Sequence, residues 1–498
     1  LKSLKKPVDM FQRAFIFGLM LLFSMGVKGS GKATPTFEWT KELQQAHSLI
    51  YKLQLESAAE SIAGADAQNL AVVYLQGHIN FAHGLVQNQS ELAIQALDEA
   101  LLSIRKGDKD APWVRLALGE LGLFKAILLG RTGSHTAAAL QAFQSYKQIQ
   151  SINRSNPDFQ FAWGMRAVFE LALASLPDKY GKLASLVGFR GDLDTGIGLL
   201  EDFHRFSLEP EQKWQLEKAG LLWVYATHQL GLEKGITFQH AQVPLRGNLL
   251  ATYLQAQLYL EDGRGDLALK SLHACYCEGQ FPEFPFLYFQ RGRAQLTQLN
   301  EAALVDFQKF LATQNAGGNF LHAAYRFQAW GALVFESDGK KSRDLFASHR
   351  QAAFALPAPQ TGTDKQAMRD LHTPVTKPLL RARLLFDGGQ WQLALAELNR
   401  MTPAQRESQH NSYWYRRGRV LQKLEESKLA LAAFQNMKPE QGDFEYANGL
   451  LQQGILFEKM GKKEAAAEAY HKAIAQKDYS NMDGVQQKAK SGLRRLED

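Results

Sequence analysis

Along most of this chain apolar residues recur every three or four positions, in short runs separated by polar turns. That spacing is helical, and no run alternates apolar and polar residues in the way that predicts a strand. Three stretches share one plan: "YFQRGRAQLTQLNEAALVDFQKFL" from Tyr288, "PLLRARLLFDGGQWQLALAELNRM" from Pro378 and "WYRRGRVLQKLEESKLALAAFQNM" from Trp414. Each opens on Arg, a small residue and Arg: Arg291-Gly292-Arg293, Arg381-Ala382-Arg383 and Arg417-Gly418-Arg419. Each continues into a second apolar segment with Ala followed four residues later by a large side chain: Ala303 and Phe307, Ala394 and Leu398, Ala430 and Phe434. Two looser copies carry Ala256, Ala268 and Leu272, and Gly454, Ala466 and Tyr470.

The pattern predicts a helical hairpin per copy. A small residue on the first helix lets the second approach closely, and Ala with the large residue four places on lies along one face of the second. Positions 256 and 292, 382 and 418, and 418 and 454 are each 36 apart. This resembles the tetratricopeptide repeat, with Trp414, Gly418, Ala430, Phe434 and Pro439 in the motif's places. The resemblance implies an all-α chain, an α-solenoid of stacked helical hairpins, because one hairpin cannot bury both its faces.

The N-terminal half reads as helical with looser units, Gly77, Ala93 and Leu97 standing near repeat positions. Residues 170–203 depart from the repeat. Leu176-Pro177, Gly188-Phe189-Arg190-Gly191-Asp192 and Gly198-Leu199-Leu200 resemble the tetratricopeptide repeat protein 39 family, which implies helical-repeat architecture and an adaptor role. The expected organisation is a leader over 1–33, degenerate repeats over 38–245, clearer repeats over 246–354, a linker or hinge over 355–373 and C-terminal repeats over 374–498. Pro357, Pro359 and Gly362 mark the linker as an exposed connection.

Charge changes the picture at one end. The 498 residues carry a formal +7, and residues 1–33 hold six cations against Asp9, so the rest carries only +2. A nucleic-acid partner, which needs a dense basic face, is therefore not expected. Lys2, Lys5, Lys6 and Arg13 precede "AFIFGLMLLFSMGV", the layout of a cleaved secretory signal peptide, with Gly29 and Ala33 offering small residues near its end. "GVKGSGKAT", residues 26–34, imitates a phosphate-binding loop. Ala33 stands where Ser or Thr would hold Mg²⁺, however, and Pro35 interrupts the helix that should follow. Export to the periplasm or outer-membrane surface of a bacterial envelope is the expectation, with no transmembrane helix in the mature chain.

Tests for catalytic constellations find neither H-E-x-x-H nor G-x-S-x-G. An EF-hand at Asp192 fails, because Gly196, Ile197 and Phe203 occupy its ligand and glycine positions. Arg190-Gly191-Asp192 reads as a chance adhesion tripeptide, and Glu425 and Glu426 as solvated turn charges. Cys275 and Cys277, with His273, read as ordinary residues near a helix end: two apart on a helix they point to different sides, and a fourth metal ligand is missing. No cofactor, metal or catalytic residue is expected. The remaining candidate is the concave face of the first helices. Counting Gly418 as the eighth position of its unit, Ser412, Tyr415, Arg419 and Gln422 face a groove. Asn448, Leu451 and Glu458 come from the next unit, Arg383 and Phe386 from the preceding one, Phe289 and Arg293, then Tyr253 and Gln257, from earlier copies. Aromatic and Arg side chains suit an extended peptide or a helix of a protein partner, and each Arg could instead pair with a carboxylate of an adjacent repeat. The expected function is an exported, non-catalytic protein-interaction scaffold, with an envelope complex as its expected setting. A second reading is an enzyme or accessory subunit of envelope glycan or lipid processing, with a site in residues 160–245 near Trp163, Tyr180, Phe189, Phe203 and Trp223.

Overall fold

The structure is a computed structural model that describes residues 35–175, 191–230, 237–313, 318–359 and 361–497. The leader, the loop-like 26–34 and the Leu176-Pro177 and Gly188–Arg190 motifs lie outside the described residues. Those residues form twenty-four α-helices, a few 3-10 turns and no strand, so the all-α expectation holds. None of the helices is long and apolar enough to cross a membrane, among the described residues.

The chain divides into two compact units. The first runs to Leu258 and includes Ser271–Leu287 and Thr313–Gly318; the second holds Tyr259–Lys270, Tyr288–Ala312 and Asn319–Asp498. Both are built from helices packed in sequential antiparallel pairs. The first unit pairs α1 (Lys41–Tyr51) with α2 (Leu55–Ala63), α3 (Leu70–Val86) with α4 (Ser90–Ile104), α5 (Pro112–Arg131) with α6 (His135–Ser155), and α7 (Trp163–Ala174) with α8 (Leu193–Ser207). After α9 (Leu216–Leu230) come, in order, α10 (Leu249–Glu261), α11 (Gly265–Ala274), α12 (Phe286–Thr297) and α13 (Ala303–Ala312). The second unit then pairs α14 (Leu321–Phe335) with α15 (Gly339–Phe354), sets α16 (Gly362–His372) against α14, and pairs α17 (Lys377–Asp387) with α18 (Trp391–Asn399). A short α19 (Pro403–Ser408) precedes the pairs α20 (His410–Lys423) with α21 (Ser427–Gln435) and α22 (Phe444–Lys459) with α23 (Lys463–Ala475), and α24 (Met482–Glu497) covers the last pair.

The repeat residues do what their spacing predicted. A Cβ at Gly418 would stand 2.5 Å from Phe434, one at Gly454 2.5 Å from Tyr470, and one at Gly292 2.9 Å from Phe307. In each hairpin, then, the aromatic of the second helix rests directly on the backbone of the first, where no larger residue fits. The turn after α17 places Gly389 at φ +79, a left-handed conformation that glycine adopts without steric cost.

Two features go beyond stacking of neighbours. In the first unit α9 packs back against α1, eight helices earlier. In the second, the segment expected as a linker is non-helical over 356–359 and then forms α16 from Gly362. The Thr361 hydroxyl caps that helix by accepting from Asp364 N at 3.0 Å, while the buried Asp364 carboxylate accepts from Phe320 N and Ala323 N at 2.8 and 3.1 Å. Asp364 thus satisfies amides at the start of α14 that have no intrahelical partner, and Ala367 and Leu371 are buried beneath it.

Candidate functional site: an arginine row in the second unit

The second unit carries arginines on successive first helices: Arg293 on α12, Arg326 on α14, Arg383 on α17 and Arg419 on α20. Three of them come from the Arg-small-Arg motif. Arg326 does not, and sequence comparison missed it, because α14 departs from the motif while still placing Arg326 beside the others.

The row is not uniform. Asp370, near the end of α16, lies between Arg326 and Arg383: Arg326 Nη1 donates to it at 2.6 Å and both Arg383 Nη atoms at 3.3 Å, with Gln366 Nε2 adding a bond at 3.0 Å. Both guanidiniums also face the Trp330 ring, 4.6 Å from its centroid. Burial pushes the Asp370 carboxyl up, but the Arg383 and Arg326 charges outweigh it and hold it at about 2. Burial lowers Arg326 to about 10, against the pull of Asp370. Arg383 is therefore an ion-pair residue of the repeat interface. Arg293 donates to Gln290 at 3.0 Å and lies over Phe289. Phe289, expected in the groove, is 1% exposed, stacked among Phe307, Phe310, Phe320 and Phe327.

Arg419 is different. Its Nη1 donates to Tyr415 Oη at 3.1 Å and its plane lies over Phe386 and Tyr415, but no carboxylate pairs with it among the described residues. Its buried Nε has no acceptor among the described residues, a feature it shares with Arg326 and Arg383. Tyr415 Oη also accepts from Asn448 Nδ2 at 2.7 Å, and Gln452 Nε2 donates to Asn448 Oδ1 at 3.2 Å. Tyr415 is itself buried, whereas Phe386, Arg419, Gln422 and Asn448 are half-buried and reach solvent. Thus Phe386, Tyr415, Arg419 and Asn448 are brought together, with Gln422 on the same face of α20. Ser412 instead donates to Glu445, which also faces Arg416 at 3.8 Å. Leu451 is buried, and Glu458 accepts from Tyr470 and Arg495. In the first unit, Tyr253 packs on Phe284 and Phe286, and Gln257 is half-buried.

The first unit holds a polar cluster that the sequence did not reveal. Glu120 on α5, 1% exposed, accepts from Lys218 Nζ at 2.7 Å, Tyr74 Oη at 2.8 Å and Tyr51 Oη at 3.1 Å, with His78 Nε2 at 3.8 Å. Burial raises the Glu120 carboxyl, but Lys218, His78 and the hydrogen bonds hold it at about 2. Burial pushes His78 down to about 4 and His47 well below its ordinary range. These groups come from α1, α3, α5 and α9, so the cluster explains why α9 returns to α1. The only sequence signal was one carboxylate inside the apolar "LALGELGLF", and a lone Glu names no partner.

Residues 160–245 also yield core. Phe203 is buried against Phe206, Trp163 packs on both, and Trp223 stacks on His204 at 4.6 Å; Tyr180 and Phe189 lie outside the described residues. Asp192 caps α8 by accepting from Thr195 N at 2.8 Å. One expectation is corrected: Cys275 and Cys277 form a disulfide, with Cα atoms 5.1 Å apart. The argument that they point apart applies within a helix, but α11 ends at Ala274, and Tyr276, at φ +49, turns the chain back between them.

No family model matches the chain, and no curated protein matches it. Among solved structures it is similar to the crystal structure of the APC/C hetero-tetramer Cut9-Hcn1, at 12% identity, covering 92% of this chain and 97% of that one, with a TM-score of 0.23. Chains that score so low do not superpose as wholes. The helical-repeat architecture accordingly stands on the hairpin pairing and on the Gly–aromatic contacts above.

Proposed function

We propose that this chain is a protein-interaction scaffold that holds a segment of a protein partner on the second unit, across α17, α20 and α22. The observation that carries this reading is the cluster of Phe386, Tyr415, Arg419 and Asn448. It joins three successive first helices, reaches solvent and contains an arginine with no carboxylate partner among the described residues, a residue type that carries much of the energy at interfaces. Aromatic and polar side chains at a regular step along a helical repeat suit a segment laid across it.

The test uses the full chain against a display library of twelve-residue peptides, followed by hydrogen-exchange mass spectrometry with the best binders. Protection of 377–387, 410–423 and 444–459 is expected. No binder, or binders that protect only first-unit helices, would refute the reading. Substituting Arg383, attractive from sequence alone, is a poor probe, since it breaks the pair with Asp370.

The export reading is part of the same proposal and rests on the leader-like residues 1–33. The Cys275–Cys277 disulfide is in keeping with an oxidising compartment. Mass spectrometry of the chain from its host should find a mature N-terminus between about Gly29 and Ala33, the small-residue region expected of a cleavage site. A chain retaining the leader in the cytoplasm would overturn it.

A further inference from the structure

The row shows, within the molecule, what one of its steps binds. At the Arg326–Arg383 step a helix outside the hairpin order, α16, presents one carboxylate, Asp370, to two guanidiniums, and a side-chain amide donates to that same carboxylate. The next step carries one guanidinium and one side-chain amide and, among the described residues, no carboxylate between them. Arg419 occupies in α20 the place Arg383 has in α17, 36 residues on. Among the described residues only its Nη1 meets an acceptor, the neutral Tyr415 Oη. That hydroxyl already accepts from Arg419 and Asn448, so its own proton has no acceptor among the described residues. Glu445, a nearby acid, is engaged by Ser412 and Arg416. The step is an excess of donors around one cation, and a carboxylate is the acceptor that satisfies such a set with charge-assisted hydrogen bonds.

We propose that Arg419, Tyr415 and Asn448 bind an Asp or Glu side chain of an acidic segment of the partner, as Asp370 is bound by Arg326 and Arg383 one step earlier. This deepens the scaffold reading and rests on it. An acidic peptide is favoured over a nucleic acid: two of the row's arginines already engage Asp370, leaving too few cations to follow a phosphate backbone.

The experiment measures fluorescence anisotropy of the full chain with four labelled probes: a twelve-residue Glu/Ser peptide, its Gln/Ser counterpart, the acidic peptide with an amidated C-terminus, and a twelve-nucleotide single-stranded RNA. Both acidic peptides are expected to bind at least about tenfold more tightly than the Gln peptide, the size of one charge-assisted contact. R419Q should remove that preference, while R205Q, which deletes an exposed cation of the first unit, leaves it intact. N448D keeps the side chain's size and places a carboxylate in the step, as Asp370 does in its own. It should abolish acidic-peptide binding in a chain whose circular dichroism and melting are not weakened, which separates loss of the site from loss of the fold. Equal affinity for acidic and Gln peptides, or an acid preference untouched by both R419Q and N448D, overturns the proposal. So does dependence on the free C-terminus, or RNA binding that R419Q removes. If Gln peptides bind and protect α17, α20 and α22, the acid specificity fails and the scaffold reading survives. If no peptide of either kind binds, both fail.

Discussion

The Lys218–Glu120 pair allows a prediction with a worked magnitude. Both side chains are almost completely buried, at 3% and 1% exposure, and their charged atoms stand 2.7 Å apart. Lys218→Met keeps the aliphatic stem and removes the cation. Glu120 would then retain Tyr51 and Tyr74 as donors but have no full positive charge in contact, since His78 is held neutral down to about 4. Breaking a buried pair on one side costs about 3–5 kcal/mol, because it leaves an uncompensated charge. The double variant Lys218→Met with Glu120→Gln removes both charges and should cost much less than the sum of the singles, with a coupling of about 2 kcal/mol or more. The assay is urea unfolding at pH 8 read by hydrogen exchange in residues 112–131 and 216–230, which reports the first unit alone. At pH 5 the variant's Glu120, freed of Lys218, can take up a proton, so its deficit relative to wild type should shrink. A Lys218→Met chain within about 0.5 kcal/mol of wild type at pH 8, the ordinary range of a surface change, or a coupling near zero, would refute the account of α9 as held to α5 by this pair.

Three further outcomes are expected. Gly418→Val should lower stability by about 1–3 kcal/mol in thermal melts, the cost of overpacking, because its Cβ meets Phe434 at 2.5 Å; Phe434→Leu in the same chain should recover part of the loss. Asp370→Asn should cost about 3 kcal/mol or more by leaving Arg326 and Arg383 without their shared acid, seen as faster exchange in α14 and α16. Stability should fall as pH drops from about 6.5, because the unfolded chain protonates His78 near its ordinary value while the folded chain resists until about 4. It should fall again below the ordinary carboxylate range, as Glu120 and Asp370, held at about 2, are forced to protonate. Melts between pH 8 and 3 in which stability rises on acidification would contradict both assignments.

Local rules carried the hairpins. Gly292, Gly418 and Gly454 face Phe307, Phe434 and Tyr470 because helical periodicity alone puts a small residue and an aromatic on meeting faces of adjacent helices. The turn glycines follow from backbone sterics, and the alignment of Arg293, Arg383 and Arg419 follows from the repeat. The Gly–aromatic contacts run between residues fewer than about forty apart, within the reach of one repeat and its neighbour. What lay outside the repeat pattern was which arginine is already paired. Asp370 sits on a helix outside the repeat register, so nothing in the spacing of Arg383 distinguished it from Arg419. Glu120 and Lys218 are 98 residues apart, and neither advertises the other. The disulfide depended on where α11 stops, a matter of one residue. Periodicity reports which face of a helix is apolar; it does not report which charge a distant segment will bring to that face. That pairing is decided by tertiary packing, which gives Arg383 the Asp370 carboxylate and, among the described residues, gives Arg419 none.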